Sequence, residues 1–470
     1  MPLTTSGRYG ASPAAGNVVL LGIVIVVVAV ALSRGLTSVS FSAAAGALAA
    51  VTLFGLVFVR TDFGIYLVIF SMLLSPEFGS GGGKLAEGRA GVTLRSEDFI
   101  LLVIGLSWLA KTAVNKELGL VAKTPLNRPI IVYIAANALA TMLGYVTGNV
   151  GISGFFYVLK YVEYFFIYYM VVNNVRDRDH AWRLIVAAFV TAAVVSVIGL
   201  AQVPSGQRVS APFEGEEGEP NTFGGYLLFM MAMASMLALE TRRLRVRVMG
   251  LALVALMSVP FLFTLSRASY LGVVPAALAI WRLTTKRRFM TGLLLLALIC
   301  APIAAYTMPS AITSRILYTF EPEKGQATVR LGKVGFDPST SARLISVRAA
   351  FEGWLRRPIL GFGVTGFGFM DSQFARVLVE TGALGFLAFC WLVWAAIGAG
   401  RAAAAVVGDP EDRAIATGFV AGTIGLLFHS LGSNTFIIVR VMEPFWLFTG
   451  IVVMLASFAS EPAGAARPAR

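Results

Sequence analysis

"FGGYLLFMMAMASMLAL", residues 223–239, runs from Phe223 to Leu239 without one charged side chain. A helix of about 20 apolar residues crosses the hydrocarbon core of a bilayer. Similar runs recur through the chain, from "NVVLLGIVIVVVAVALS" (17–33) to "FTGIVVMLASFA" (448–459). Over 470 residues, 57% are hydrophobic and only 13% charged, with a mean hydropathy of +0.78. Soluble domains carry roughly 25% charged residues. This composition excludes a soluble α/β enzyme and predicts an all-α, polytopic transmembrane bundle, a single integral membrane domain over 1–470. Fourteen helices are expected, near 17–33, 40–59, 62–76, 97–114, 129–147, 154–174, 183–202, 223–240, 248–265, 268–282, 290–308, 376–400, 414–431 and 436–457.

The net charge of +13 raises the question of nucleic acid. Its distribution answers it. Lys111, Lys116, Lys123 and Arg128 lie in one short loop, Arg176, Arg178 and Arg183 in the next, then Arg242, Arg243, Arg245 and Arg247, then Arg282, Lys286, Arg287 and Arg288. Short basic loops between spans mark the cytoplasmic side of a membrane protein, so no nucleic-acid partner is implied. Counting from a cytoplasmic N-terminus puts all these loops inside and the acidic loop 203–222 outside. Cys300 and Cys390 both fall in apolar runs and offer neither a disulfide framework nor metal-ligand spacing. The first apolar run is too long, and lacks the cleavage site, to read as a removable signal.

One connection is long and polar. On this topology residues 309–375 form an extracytoplasmic loop. Within it "SARLISVRAAFEGWLRRP" sets Leu344, Val347, Phe351 and Trp354 at helical spacing, with Asp337-Pro338 to start the helix and Pro358 to end it. Such a helix would lie in the outer membrane interface. It is followed by "GFGVTGFGFMDSQ" (361–373), which has the Gly-x-Gly-x-x-Gly spacing of a dinucleotide fingerprint. That motif carries meaning only between a strand and a helix in a βαβ unit. Here it follows an amphipathic helix, outside the cytoplasm. The glycines are expected to end that helix and let the chain re-enter the membrane closely packed.

Ionisable residues within spans cost about 2.5–3.5 kcal/mol each on insertion scales and are candidates for function. Lys160 and Glu163, Arg376 and Glu380, and Arg440 and Glu443 stand three or four residues apart. Each pair can neutralise itself within its helix or can meet a substrate. Arg267 has no partner near it in sequence. Tyr157, Tyr161, Tyr164 and Tyr168 form a stripe that suits core packing or a sugar-facing groove. His429 is open to packing or proton transfer, while His180 reads as a solvated loop residue.

Three stretches resemble the O-antigen ligase and O-antigen polymerase family of membrane glycosyltransferases: "RVSAPFEGEEGEPNTFGGYL" (208–227), "LSRASYLG" (265–272) and the segment from Ser341 to Gly385. The resemblance implies transfer of a glycan from an undecaprenyl-diphosphate carrier at the outer face of a bacterial inner membrane, with the active site facing the periplasm. It implies the bilayer, a chain-length regulator and a flippase as partners. No cofactor or metal is implied, because the donor is already activated. Carried over by position, Arg208, Arg267 and Arg343 would bind the diphosphate. Lys160, Glu163, Arg376 and Arg440 are further candidate substrate contacts on the separate ground that they are ionisable groups within spans. The family's loop histidine is missing, and "MDSQF" stands in its place. Asp371 is the positional substitute as base, and Glu219 a second carboxylate on the same side. The loss of histidine favours a repeat-unit polymerase over a ligase. A transporter or flippase is the rival of another class, but its usual repeated halves with broken helices are not found.

Overall fold

The computed structural model describes residues 41–75, 77–78, 94–114, 124–213, 218–307, 309–320, 329–331, 334–368 and 370–460. The expected helix at 17–33 lies outside them, as do Lys116, Lys123 and the acidic residues 214, 216 and 217. Among the described residues the chain folds into fifteen α-helices. They are α1 (Phe41–Val59), α2 (Thr61–Leu74), α3 (Ser96–Val114), α4 (Asn127–Val146), α5 (Ile152–Asn174), α6 (Arg178–Gln202), α7 (Pro220–Glu240) and α8 (Leu244–Phe263). There follow α9 (Arg267–Leu283), α10 (Arg287–Thr307), α11 (Ser310–Leu317), α12 (Pro338–Arg356), α13 (Gln373–Val406), α14 (Pro410–His429) and α15 (Val439–Ser460). Two two-residue antiparallel ladders, Glu77–Phe78 with Leu94–Arg95 and Arg330–Leu331 with Val334–Gly335, complete the regular structure. Seven of the described helices are long and apolar enough to cross a membrane.

The chain divides into two compact units, residues 1–68 with 97–120, and 69–96 with 121–470. In the first, Ser107 Oγ donates to Phe54 O at 2.8 Å and Lys111 Nζ to Thr61 Oγ1 at 3.1 Å. These bonds join α3 to α1 and to the start of α2.

In the second unit burial separates central from peripheral spans. The most apolar stretch of α7 is 83% buried and that of α15 78%, against 22% for α8. The centre is built from aromatic edges and small residues. Phe229, Phe419, Phe445 and Phe448 meet there with ring centroids 5.4–6.0 Å apart. With no hydrophobic drive between helices in lipid, such close packing is what holds spans together. Tyr161, Tyr164 and Tyr168 are 3% exposed or less, and Phe165 stacks edge-on against Trp446 at 4.7 Å. These three tyrosines of the stripe pack in the core, while Tyr157 is half-buried.

The ends of this unit differ in chemistry. At one end Arg178 bonds Asp409 (2.9 Å) and Asp412 (2.5 Å), Thr241 bonds Glu411 (2.7 Å), and Glu240 accepts from Thr284 (2.5 Å) and Thr285 (2.6 Å). The loops after α5 and α7 thus meet the start of α14, and the loop after α9 meets the end of α7. His180 is buried here, 3% exposed, rather than solvated. The loops that carry the family-like motifs gather at the opposite end.

The glycine-rich stretch is explained by a break in α13. At Gly382 the backbone turns to φ 65°, ψ −167°, so the helix ladder is interrupted. The amides of Ala383 and Leu384 bond Pro358 O (2.8 Å) and Ile359 O (3.2 Å). The carbonyls released on the other side, Val379 O and Glu380 O, accept from Phe362 N (3.0 Å) and Gly363 N (2.7 Å). Residues 358–363 therefore replace the ladder that Gly382 breaks, and these four backbone groups find partners. Gly361, at φ 65°, lies so close that a Cβ would stand 2.4 Å from Val379 O. The spacing serves backbone-to-backbone packing, as the position after an amphipathic helix implies.

Candidate active site

The site grows from the turn before α9. Ser266 caps that helix, accepting from Ser269 N at 3.2 Å, while Leu265 holds φ 50°, a costly conformation for a branched residue. That turn points Thr264 O and Leu265 O at Arg208, whose Nε and Nη2 donate to them at 3.0 and 3.4 Å. Asn221, at the start of α7, accepts from Ser266 Oγ at 2.7 Å. Gly224 admits Ser269, since a Cβ there would stand 2.2 Å from Ser269 Oγ. The first two motifs are therefore one structure.

His429 completes it. Its Nε2 lies 3.2 Å from Asn221 O and its Nδ1 2.6 Å from Thr435 Oγ1, and the ring is fully buried. A carbonyl only accepts, so Nε2 carries the proton and Nδ1 accepts from the threonine. Both nitrogens are engaged, which suits packing over proton transfer.

Arg267, the first residue of α9, has a partner that sequence proximity could not reveal. Its Nη1 donates to Asp337 Oδ2 at 2.7 Å and to Thr319 Oγ1 at 3.0 Å, and its Nη2 to Asp337 Oδ1 at 3.2 Å. Asp337 also caps α12, as expected, accepting from Ser339 N and Thr340 N. Burial disfavours its charge, but Arg267 and the Thr340 donors together hold its carboxyl below the usual range.

Arg343 and Asp371 come together, with Arg343 Nε 3.2 Å from Asp371 Oδ2. The side chains are 26% and 33% exposed, so this pair remains open to a ligand. The N-cap of α13 is Ser372, without a side-chain bond. Asp371 therefore does not cap α13. Glu219 stands exposed at the start of α7 and accepts from Thr222 Oγ1 at 2.8 Å.

A further arginine belongs here that sequence reading overlooked. Arg315, on α11, lies a turn before Thr319, the residue that bonds Arg267. Burial pushes the Arg208 guanidinium down to about 10, and the charges of Arg315, Arg343 and Arg267 push the same way. Burial likewise lowers Arg315, as do Arg267 and Arg343, with Asp337 opposing. The sequence pattern places its segment in the long loop; the signal is Ser314-Arg315, an arginine on the short helix Ser310–Leu317.

The other candidates have structural partners. Arg376 bonds Glu380 at 3.1 Å and lies over the Tyr157 ring, and Glu380 Oε1 also accepts from Thr365 N at 3.0 Å. This pair neutralises itself and anchors the glycine-rich stretch. Arg440 is fully buried and donates to Pro212 O (2.8 Å) and Ser75 O (3.0 Å), tying down the loop that bears Arg208. Lys160 and Glu163 stand half-buried on α5.

Fold and site together define a polytopic helical membrane protein with arginines and carboxylates converging at one end, an arrangement suited to anions. Residues 252–390 match the family model described as O-antigen ligase, whose members are glycosyltransferase-like enzymes, and this match supports the resemblance to the O-antigen ligase and polymerase family. That match spans Arg267, Arg315, Asp337, Arg343 and Asp371. No curated protein matches the chain.

Proposed function

We propose that this protein is a glycosyltransferase of the bacterial inner membrane that polymerises glycan repeat units carried on undecaprenyl diphosphate, at the periplasmic face. The observation that carries this reading is the meeting of Arg208, Arg267 and Arg343, from three separate segments, with Asp371 paired to Arg343. In the proposed reaction the acceptor hydroxyl attacks the anomeric carbon of the donor. The bond from that carbon to the diphosphate oxygen breaks, and the diphosphate leaves with the electron pair. The arginines receive the charge that grows on it, where forks of donors are worth most. The hydroxyl's proton passes to the Asp371 carboxylate, which Arg343 releases as it turns to the phosphate. No step requires a metal or nucleotide. A chain-length regulator and a flippase would act beside it.

The matching family description supports a second reading, a ligase that transfers a finished glycan to a different acceptor. The test is reconstitution of the purified chain with a lipid-linked repeat unit alone. A ladder of products differing by one repeat supports polymerase. Product only after a second, distinct acceptor is added supports ligase, and no transfer in either case removes both.

A further inference from the structure

Resting on the donor-site reading above, we propose that Arg315 and Arg208 form the seat that first receives the diphosphate of the lipid-linked donor, while Arg267 and Arg343 are held in reserve by their carboxylates. Arg208, Arg267, Arg315 and Arg343 converge with two acids, Asp337 and Asp371. Asp337 is committed to Arg267 through both its oxygens, and Asp371 to Arg343. Among the described residues no carboxylate pairs with Arg208 or Arg315. Arg208 spends two donors on backbone carbonyls. The Nε of Arg315 is buried and has no hydrogen-bond partner among the described residues.

A guanidinium with a buried, unmade hydrogen bond beside like charges works against the folded state. Natural sites keep such costs where a ligand repays them. The missing partner has to accept from a buried guanidinium donor, and an anion would also offset the repulsion among Arg208, Arg315, Arg267 and Arg343. It must also offer several acceptor oxygens, because the donors come from two segments. A diphosphate has these properties, and a single carboxylate does not. The short helix α11 fits the task, because it follows α10 and holds Arg315 at the end where Arg267 and Asp337 meet.

The test uses the full chain in nanodiscs, titrated with inorganic pyrophosphate and, separately, with geranylgeranyl diphosphate. Arg315→Ala is expected to weaken both by about tenfold or more, the scale of one lost charge-assisted hydrogen bond. Arg315→Lys should recover only part, because a point charge lacks the fork. Thermal unfolding without ligand supplies a readout of opposite sign, since removing an unsatisfied, repelled charge should leave the melting temperature unchanged or raised. A lowered melting temperature in Arg315→Ala would make the residue structural and overturn the proposal. Unchanged binding in Arg315→Ala, with binding lost in Arg208→Ala, would also overturn it and leave the donor-site reading intact. Failure of the unmutated chain to bind either probe would sink both. Tighter binding of the tailed probe supports a lipid-linked diphosphate, and equal binding of the two overturns that source.

Discussion

Arg267 and Asp337 are joined at two points across 70 residues of chain, Nη1 to Oδ2 at 2.7 Å and Nη2 to Oδ1 at 3.2 Å. Asp337 is fully buried and caps α12, while Arg267 opens α9. One ion pair thus sets the start of α12 against the start of α9. Arg343 is carried on that helix, so its distance from Asp371 depends on the same pair. Arg267→Ala should therefore abolish transfer, by about 10²–10³ or more on the scale of lost transition-state donors, while the protein still inserts. Arg267→Lys should also be poor, because an ammonium cannot bridge both carboxylate oxygens. Product length on gels, with membrane level measured in parallel, checks this; normal product in both variants would remove Arg267 from the site.

The same pair predicts an acid limb in stability. Asp337 is held below the ordinary aspartate value of about 4, so its contribution is complete above that value and is lost as pH falls through the lower folded one. Thermal unfolding from pH 7 to pH 3 should show the loss in the native chain. Asp337→Asn keeps a capping side chain but strands the arginine, so it should be less stable by ~3 kcal/mol at neutral pH. It should also lack that limb. An identical acid profile in both proteins would refute the assignment.

The break in α13 makes a sharper structural prediction. A Cβ at Gly382 would stand 2.3 Å from both Ile359 C and Ile359 O, at a φ of 65° that other residues resist. Gly382→Ala should destabilise by about 2 kcal/mol or more, with loss of transfer as the loop that leads to Asp371 is displaced. Gly368 lies on the same loop, and a Cβ there meets nothing within 4 Å. Gly368→Ala should stay within about 0.5 kcal/mol of the native chain. Melting curves of the two variants decide it, and equal effects would mean the interlock does not hold the loop.

Spans were legible because hydropathy alone sets which segments leave water. The run expected at 129–147 is Asn127–Val146, and that at 154–174 is Ile152–Asn174. The cap at Asp337 was legible too, since it is local chemistry. What escaped is tertiary. The partner of Arg267 is distant in sequence, and the carbonyls that Arg440 satisfies belong to loops near Ser75 and Pro212. No local pattern marks Gly382 as a broken helix, because the residues that repair it, 358–363, belong to a separate loop. Arg315 escaped for a related reason: eight residues of helix carry too weak a period to separate from loop.

Asp371 gives the most direct test of mechanism. Its carboxylate lies 3.2 Å from Arg343 Nε and is one-third exposed, at the end of the molecule where the arginines converge. A sugar hydroxyl is a weak nucleophile, and a positioned base that takes its proton contributes about 10²–10⁴ in rate. With Ser372 as the cap of α13, replacing Asp371 should leave that helix intact. Asp371→Asn preserves size and can still accept a hydrogen bond from Arg343, but it cannot hold the transferred proton. It is expected to lose transfer by at least 10² on that scale, with unchanged diphosphate binding and an unchanged melting temperature. Arg343→Ala should weaken diphosphate binding as well as transfer, so the two members of one pair separate by readout. If Asp371→Asn transfers at the native rate, the base lies elsewhere, and Glu219, exposed at the start of α7, becomes the carboxylate to replace next.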